Sequence, residues 1–145
     1  MALKKLYISA ILALLIAALV LPGGCSKGEE TGISGQVIED VSLEEAFTLM
    51  EDNRGSQDFM IIDLRSAGEY AGGHIEAAVN IDYSAADFAA ALDELDRDKT
   101  YLLYSQKDDI SGQVLDMMAG LGFTRVYNML GGMERWKRIG LPRVK

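Results

Sequence analysis

Apolar residues are distributed along this chain in three patterns. Residues 6–21 form one long block, interrupted only by Tyr7 and Ser9. Further on, residues 36–38, 59–62, 78–81, 100–104 and 125–128 are short strand-like stretches divided by turn residues, of which 59–62 is continuously apolar and 100–104 largely so. Stretches of that length without polar alternation suit strands covered on both faces, as in a parallel sheet between helices. Between them the spacing is helical: Leu43, Ala46, Phe47 and Met50 share one face, and Ser42 with Glu45 three residues on makes a capping box that opens a helix through about Met50. A helical turn over 67–71, an alanine-rich helix over 85–95, a helix over 111–121 closed by Gly122 and a last helix over 133–139 complete the pattern. Strands alternating with helices from residue 36 to 145 predict one α/β domain of about 110 residues, enough for a single core.

The long apolar block is something else. Lys4 and Lys5 precede it and Pro22, Gly23, Gly24 and Cys25 follow, which is the layout of a secretory signal peptide over residues 1–24. A membrane span needs about 20 apolar residues and a signal's apolar region about 7 to 15, so this block stands nearer the signal, with an uncleaved anchor as the alternative. Small residues followed by cysteine at the end of a signal resemble the lipobox of bacterial lipoproteins. That resemblance implies lipidation of Cys25, a palmitate-type anchor in the cell membrane or outer membrane, and a domain outside the cytoplasm. Ser26, rather than aspartate, follows the lipid site, and the resemblance to lipoprotein sorting signals then implies the outer membrane in a cell that has two. Pro22 departs from the lipobox pattern, with Leu21 one place early. Residues 25–35, rich in Gly, Ser, Thr and Glu, read as a flexible tether behind the lipidated cysteine.

Cysteine and charge narrow the choices. Cys25 is the chain's one cysteine, so no disulfide forms within the chain. Loss of Lys4 and Lys5 with the leader moves the formal net charge from −8 to −10. Nucleic acid is therefore not an expected partner, because its backbone is bound by clustered Lys and Arg.

Three stretches carry a family resemblance. The first runs from Ile62 to Ile81 and contains Asp63-Leu64-Arg65, Glu69-Tyr70, Gly73-His74-Ile75 and Ala78-Val79-Asn80-Ile81. The second is residues 122–128, and the third joins Gly131-Gly132-Met133-Glu134-Arg135-Trp136 to Gly140-Leu141-Pro142. Together they resemble a rhodanese-like domain, the sulfurtransferase homology family, in order and spacing. The resemblance implies an open, mostly parallel sheet of about five strands with helices on both faces. On their own chemistry, Asp63 and Arg65 at a strand end read as a structural pair or cap. His74, the one histidine, reads as a hydrogen-bonded turn residue, with acid–base work as the alternative.

The same resemblance puts the family's persulfide-carrying cysteine at the strand end after Tyr104, where this chain has Ser105. Active members follow that cysteine with a loop of amides and a helix N-terminus that lower the thiol pKa, and with an arginine before the helix. The loop here reads Ser105-Gln106-Lys107-Asp108-Asp109-Ile110, so Ile110 stands at the arginine position and Asp108 and Asp109 oppose Lys107. Oxygen holds no persulfide, and two carboxylates repel an anionic donor. The expectation is an inactive member serving as a binding or scaffold module for an envelope protein or peptide, with no cofactor and no catalytic residue. Sulfur transfer through a partner is one alternative. Another is a hydrolase using Ser105 with His74 as base, although the neighbours do not make the Gly-x-Ser-x-Gly elbow. A third is a metal held by Asp108, Asp109 and Asp87, although no calcium-loop pattern is present and no metal is expected.

Overall fold

A computed structural model of the protein describes residues 35–145. The leader over 1–24, Cys25 and nearly all of the tether lie outside the described residues. The five strands are β1 (Val37–Val41), β2 (Phe59–Asp63), β3 (Ala78–Asn80), β4 (Thr100–Tyr104) and β5 (Arg125–Met129), in the order β1-β5-β4-β2-β3. Every pairing is parallel, so the sheet is wholly rather than mostly parallel. Its helices are α1 (Leu43–Asp52), α2 (Ala67–Ala71), α3 (Phe88–Asp93), α4 (Asp109–Gly120) and α5 (Gly132–Arg138).

Two cores flank the sheet. On one face Leu43 and Ala46 of α1 meet Met133 and Trp136 of α5 over Ile61, Leu102, Tyr104 and Met129. On the other, Phe88 and Leu92 of α3 join Val114, Leu115 and Met118 of α4 over Ile62, Tyr101, Leu103 and Val126. The inner strands β2 and β4 bury both faces, which is why they are apolar without alternation, whereas the edge strands β1 and β3 leave Val37 and Val79 exposed. Ser42 makes the expected capping box, accepting from the Glu45 amide while the Glu45 carboxylate accepts from the Ser42 amide at 2.8 Å.

Several element ends shift by a residue or two from the sequence pattern, and three shifts have a structural consequence. Strand β1 extends to Val41 because its whole length pairs with β5, from Val37↔Arg125 to Val41↔Met129, and an edge strand tolerates the exposed Glu39 and Asp40. The alanine-rich helix is confined to Phe88–Asp93. The Asp82 carboxylate accepts from the Ser84 amide at 2.9 Å, and Ala85 and Phe88 close successive turns onto Asp82 and Ala85. These local turns outcompete alanine's helix propensity over 82–87. Helix α4 begins at Asp109, inside the segment expected to be loop.

Candidate functional site

Strands β4 and β2 are neighbours, but their connections leave in opposite directions: β2 leads through α2 to β3 on one side, and β4 through α4 to β5 on the other. Such a reversal opens a crevice at the carboxyl ends of the two strands. The segments that leave those ends are Leu64 and Arg65 after β2, and Ser105 to Asp108 after β4. Topology therefore brings together the two groups of residues singled out in the sequence.

Ser105 is 1% exposed. Its Oγ donates to the Lys107 carbonyl at 2.5 Å and lies 3.2 Å from Ser111 Oγ. The hydroxyl closes a short turn within its own loop. The N-terminus of α5 holds the same loop from the far side: Met133 N donates to the Ser105 carbonyl at 2.9 Å and Glu134 N to the Gln106 carbonyl at 3.0 Å. Gly131 N donates to Asp108 Oδ1 at 2.5 Å. Gly131 and Gly132 have φ of 86° and 50°, left-handed values that favour glycine. A Cβ at Gly132 would stand 2.5 Å from the Ser105 carbonyl oxygen, so only glycine admits this approach.

The amides of the loop face a different situation. Asp109, Ile110 and Ser111 open α4, where the first amides have no intrahelical acceptor, and Asp108 supplies no side-chain cap. Among the described residues no acceptor bonds these three amides or those of Gln106, Lys107 and Asp108. Free amides at a helix start attract anions. Asp109 is exposed on that first turn, and Lys107 pairs with Glu134 at 3.9 Å, so the loop's one cation is already matched by a carboxylate. Ile110 stands half-buried against the α3–α4 core and brings no charge to the loop.

Beneath the crevice is a buried polar group. Asp63, Arg65 and Tyr104 are exposed by 0%, 3% and 0%. Arg65 grips the Asp63 carboxylate with Nη2 at 2.6 Å from Oδ2 and Nε at 3.0 Å from Oδ1, and Nη2 also donates to the Gly73 carbonyl at 3.0 Å. Tyr104 Oη donates to Asp63 Oδ2 at 2.6 Å. Burial, reinforced by the Asp63 carboxylate, pushes the Tyr104 hydroxyl far above its ordinary value and keeps it protonated. Burial works to lower the Arg65 pKa, but the hydrogen bonds and charge of Asp63 outweigh it and leave it raised. This is a fully paired ion pair that fixes how the β2 end meets the β4 end.

His74 is hydrogen-bonded, as expected, but as a bridge residue rather than a turn residue: it follows a turn and pairs antiparallel with Val144. Its Nδ1 lies 3.0 Å from the Tyr70 carbonyl, which can only accept, so that nitrogen carries the proton. The ring stacks on Tyr70 with centroids 3.7 Å apart, and the His74 and Val144 backbones exchange two hydrogen bonds. Ser105 Oγ bonds Lys107 and Ser111, not His74, so no serine–histidine pair exists. No group of three His, Cys, Asp or Glu residues is placed to hold a metal among the described residues, and Asp87 does not join Asp108 and Asp109. Sequence reasoning missed Tyr104, Gly131 and Ser111 as parts of the site. The Gly131-Gly132 pair stands within a stretch that carries the family resemblance, but its role as clamp on the loop needs the chain's return from β5.

The chain matches the family described as "Rhodanese-like domain" over residues 44–139. It is 33% identical over 94 residues to YqhL of Bacillus subtilis, covering 65% of this chain and 73% of that one. To the thiosulfate sulfurtransferase GlpE of Pseudomonas entomophila it is 31% identical over 98 residues, covering 67% and 83%. The crystal structure of a rhodanese-related protein from Thermoplasma volcanium shares its fold, with a TM-score of 0.60 at 22% identity over 73% of this chain and 97% of that one. With the parallel sheet, the crevice and this match in agreement, the chain belongs to the rhodanese-like domain family.

Proposed function

We propose that this protein is a rhodanese-like domain without sulfur-transfer chemistry, tethered through lipidated Cys25 at the cell envelope, where it works as a binding module. One observation carries the reading: Ser105, at the end of β4, is buried and its hydroxyl donates within its own loop. Sulfur transfer needs a low-pKa thiolate, and here the position holds oxygen, with Ile110 and Asp109 where a cation would assist. The GlpE proteins are named as thiosulfate sulfurtransferases, and that activity is theirs. What supports a binding role is the crevice itself, held rigid by α5 on one side and the Asp63–Arg65 pair on the other, with unpartnered amides at its mouth.

The decisive measurement is thiosulfate:cyanide sulfur transfer by the purified protein. No turnover above a heat-inactivated control is expected, and clear turnover overturns the proposal. Binding is read by capture from the protein's own envelope, comparing the native chain with one whose residues 105–110 are replaced by glycine and serine. A partner lost with the loop supports the module. Metabolic labelling with a palmitate analogue, abolished by Cys25→Ser, tests the tether, and unchanged labelling in that variant removes it.

A further inference from the structure

A cavity of about 580 Å³ opens between α1, α5 and the chain's last residues, and none of residues 105–111 lines it. Its innermost lining is apolar, with Ile61, Ile75 and Trp136 all buried. Phe47 and Val144, 43% and 38% exposed, stand at its edge. A recess of this volume, apolar within and with a few polar groups at the rim, has the dimensions of a small-molecule site.

The walls are held apart by bonds between distant parts of the chain. Trp136 Nε1 donates to the Pro142 carbonyl at 2.9 Å, and the Val144 and His74 backbones exchange bonds of 2.9 and 3.0 Å, so the last residues form one wall. Another wall is the turn from Ile75 to Ala78. The Ile75 amide donates to Tyr104 Oη at 3.3 Å, and Ala78 N closes the turn by donating to the Ile75 carbonyl at 3.0 Å. Within that turn Ala77 lines the cavity at a φ of 63°. Backbone strain of this kind persists only where the surrounding structure imposes it, and it gathers at ligand clamps.

Charge at the rim narrows the class of ligand. Among the described residues that line the cavity, Arg54 is the one cation, and its Nη2 donates to Glu51 Oε1 at 2.5 Å. That bond and the charge of Glu51, with a smaller part from Glu76, hold Arg54 protonated above its ordinary value. An anion therefore finds no free partner here. Glu76 is exposed, and a solvated carboxylate gives a cation little. We propose that this cavity binds an uncharged, apolar small molecule, seated against Trp136, Ile61 and Ile75 behind Phe47 and Val144. The site is separate from the Ser105 loop and stands whether or not that loop binds a partner.

Trp136 is the chain's one tryptophan, so its emission reports on the cavity directly. The full chain is titrated with N-phenyl-1-naphthylamine, an uncharged fluorophore, and with its 8-sulfonate, the same rings carrying an anion. The neutral dye is expected to saturate, to take up Trp136 emission by energy transfer and to bind about tenfold more tightly than the sulfonate. Phe47→Asp and Val144→Asp, at exposed positions on two different walls, are each expected to weaken it about tenfold. Leu121→Asp, at a similarly exposed position outside the cavity, should leave it unchanged. Circular dichroism checks the fold of all three, and if one wall variant unfolds the other decides. Neutral-dye binding indifferent to the wall substitutions overturns the proposal, because it places the dye elsewhere, residues 1–34 included. Equal affinity for the sulfonate, or no saturable binding, overturns it as well. So does a chain that dimerises in sedimentation equilibrium and is dispersed by Phe47→Asp, since the occupant is then a second copy.

Discussion

The carboxylate of Asp108 accepts the backbone amide of Gly131 at 2.5 Å, tying the loop after β4 to the start of α5. In the sequence Asp108 reads as unwelcome negative charge beside Lys107. In the fold it is an anchor, and only Asp109 is left as a free carboxylate on the first turn of α4. With the bonds from Met133 and Glu134 to the Ser105 and Gln106 carbonyls, it makes α5 the clamp that shapes the loop.

That clamp is open to test at its two ends. Gly132→Ala forces a Cβ to within 2.5 Å of the Ser105 carbonyl oxygen and gives alanine a positive φ, so a loss of about 2–3 kcal/mol in urea unfolding is expected. Asp108→Ala should leave the core intact but speed hydrogen exchange at the Gly131 amide, while Asp108→Asn, which keeps an acceptor oxygen, should not. Equal exchange in both would show that the carboxylate does not hold the loop.

Restoring sulfur at residue 105 does not restore an enzyme. In Ser105→Cys, the 2.5 Å separation between the hydroxyl oxygen and the Lys107 carbonyl is too short for sulfur, and that carbonyl favours a protonated thiol. In a Cys25→Ser background the expected outcome is slow alkylation by iodoacetamide at neutral pH and little thiosulfate turnover. Rapid alkylation with turnover would mean that the free amides outweigh Ile110 and Asp109.

The Asp63–Tyr104 bond predicts a pH dependence. Below the ordinary tyrosine value of about 10 the hydroxyl is protonated in both folded and unfolded chains and contributes no slope. Above it the unfolded chain loses the proton while buried Tyr104, its pKa raised, keeps it, so stability falls by about 1.4 kcal/mol per pH unit from this group. Tyr104→Phe should cost about 1–3 kcal/mol at neutral pH by removing a donor from buried Asp63, and should flatten the alkaline decline. Tyr101, whose pKa is also raised, first by burial, leaves part of that slope in place. Parallel alkaline profiles in the two proteins would refute the assignment.

Ala77 has a φ of 63°, the one described residue other than glycine in the left-handed region. An L side chain there costs about 1–2 kcal/mol, and a glycine in the unfolded chain gives back about 0.4–1 kcal/mol of that. Ala77→Gly is therefore expected to stabilise the protein by up to about 1.5 kcal/mol, read as a higher melting temperature. A lower melting temperature would mean that the methyl group contributes more than its conformation costs.

The sequence by itself determined the alternation of elements, the two-faced burial of the inner strands β2 and β4, the Ser42 capping box and the absence of sulfur at residue 105. Each of these is local: periodicity, a three-residue spacing, one side chain's chemistry. The pairing of Asp63 with Arg65 was also within reach, because the two are two residues apart at a strand end. Only the tertiary structure decided what these parts do together. Tyr104 is 41 residues from Asp63 and Gly131 is 23 from Asp108, and no local pattern encodes a hydrogen bond between strands paired by crossover. The early start of α4 and the short α3 were settled in the same way, by turns and contacts that override propensity. Ser105 supplied the chemical identity, and the return of the chain through β5 into α5 supplied the loop's shape.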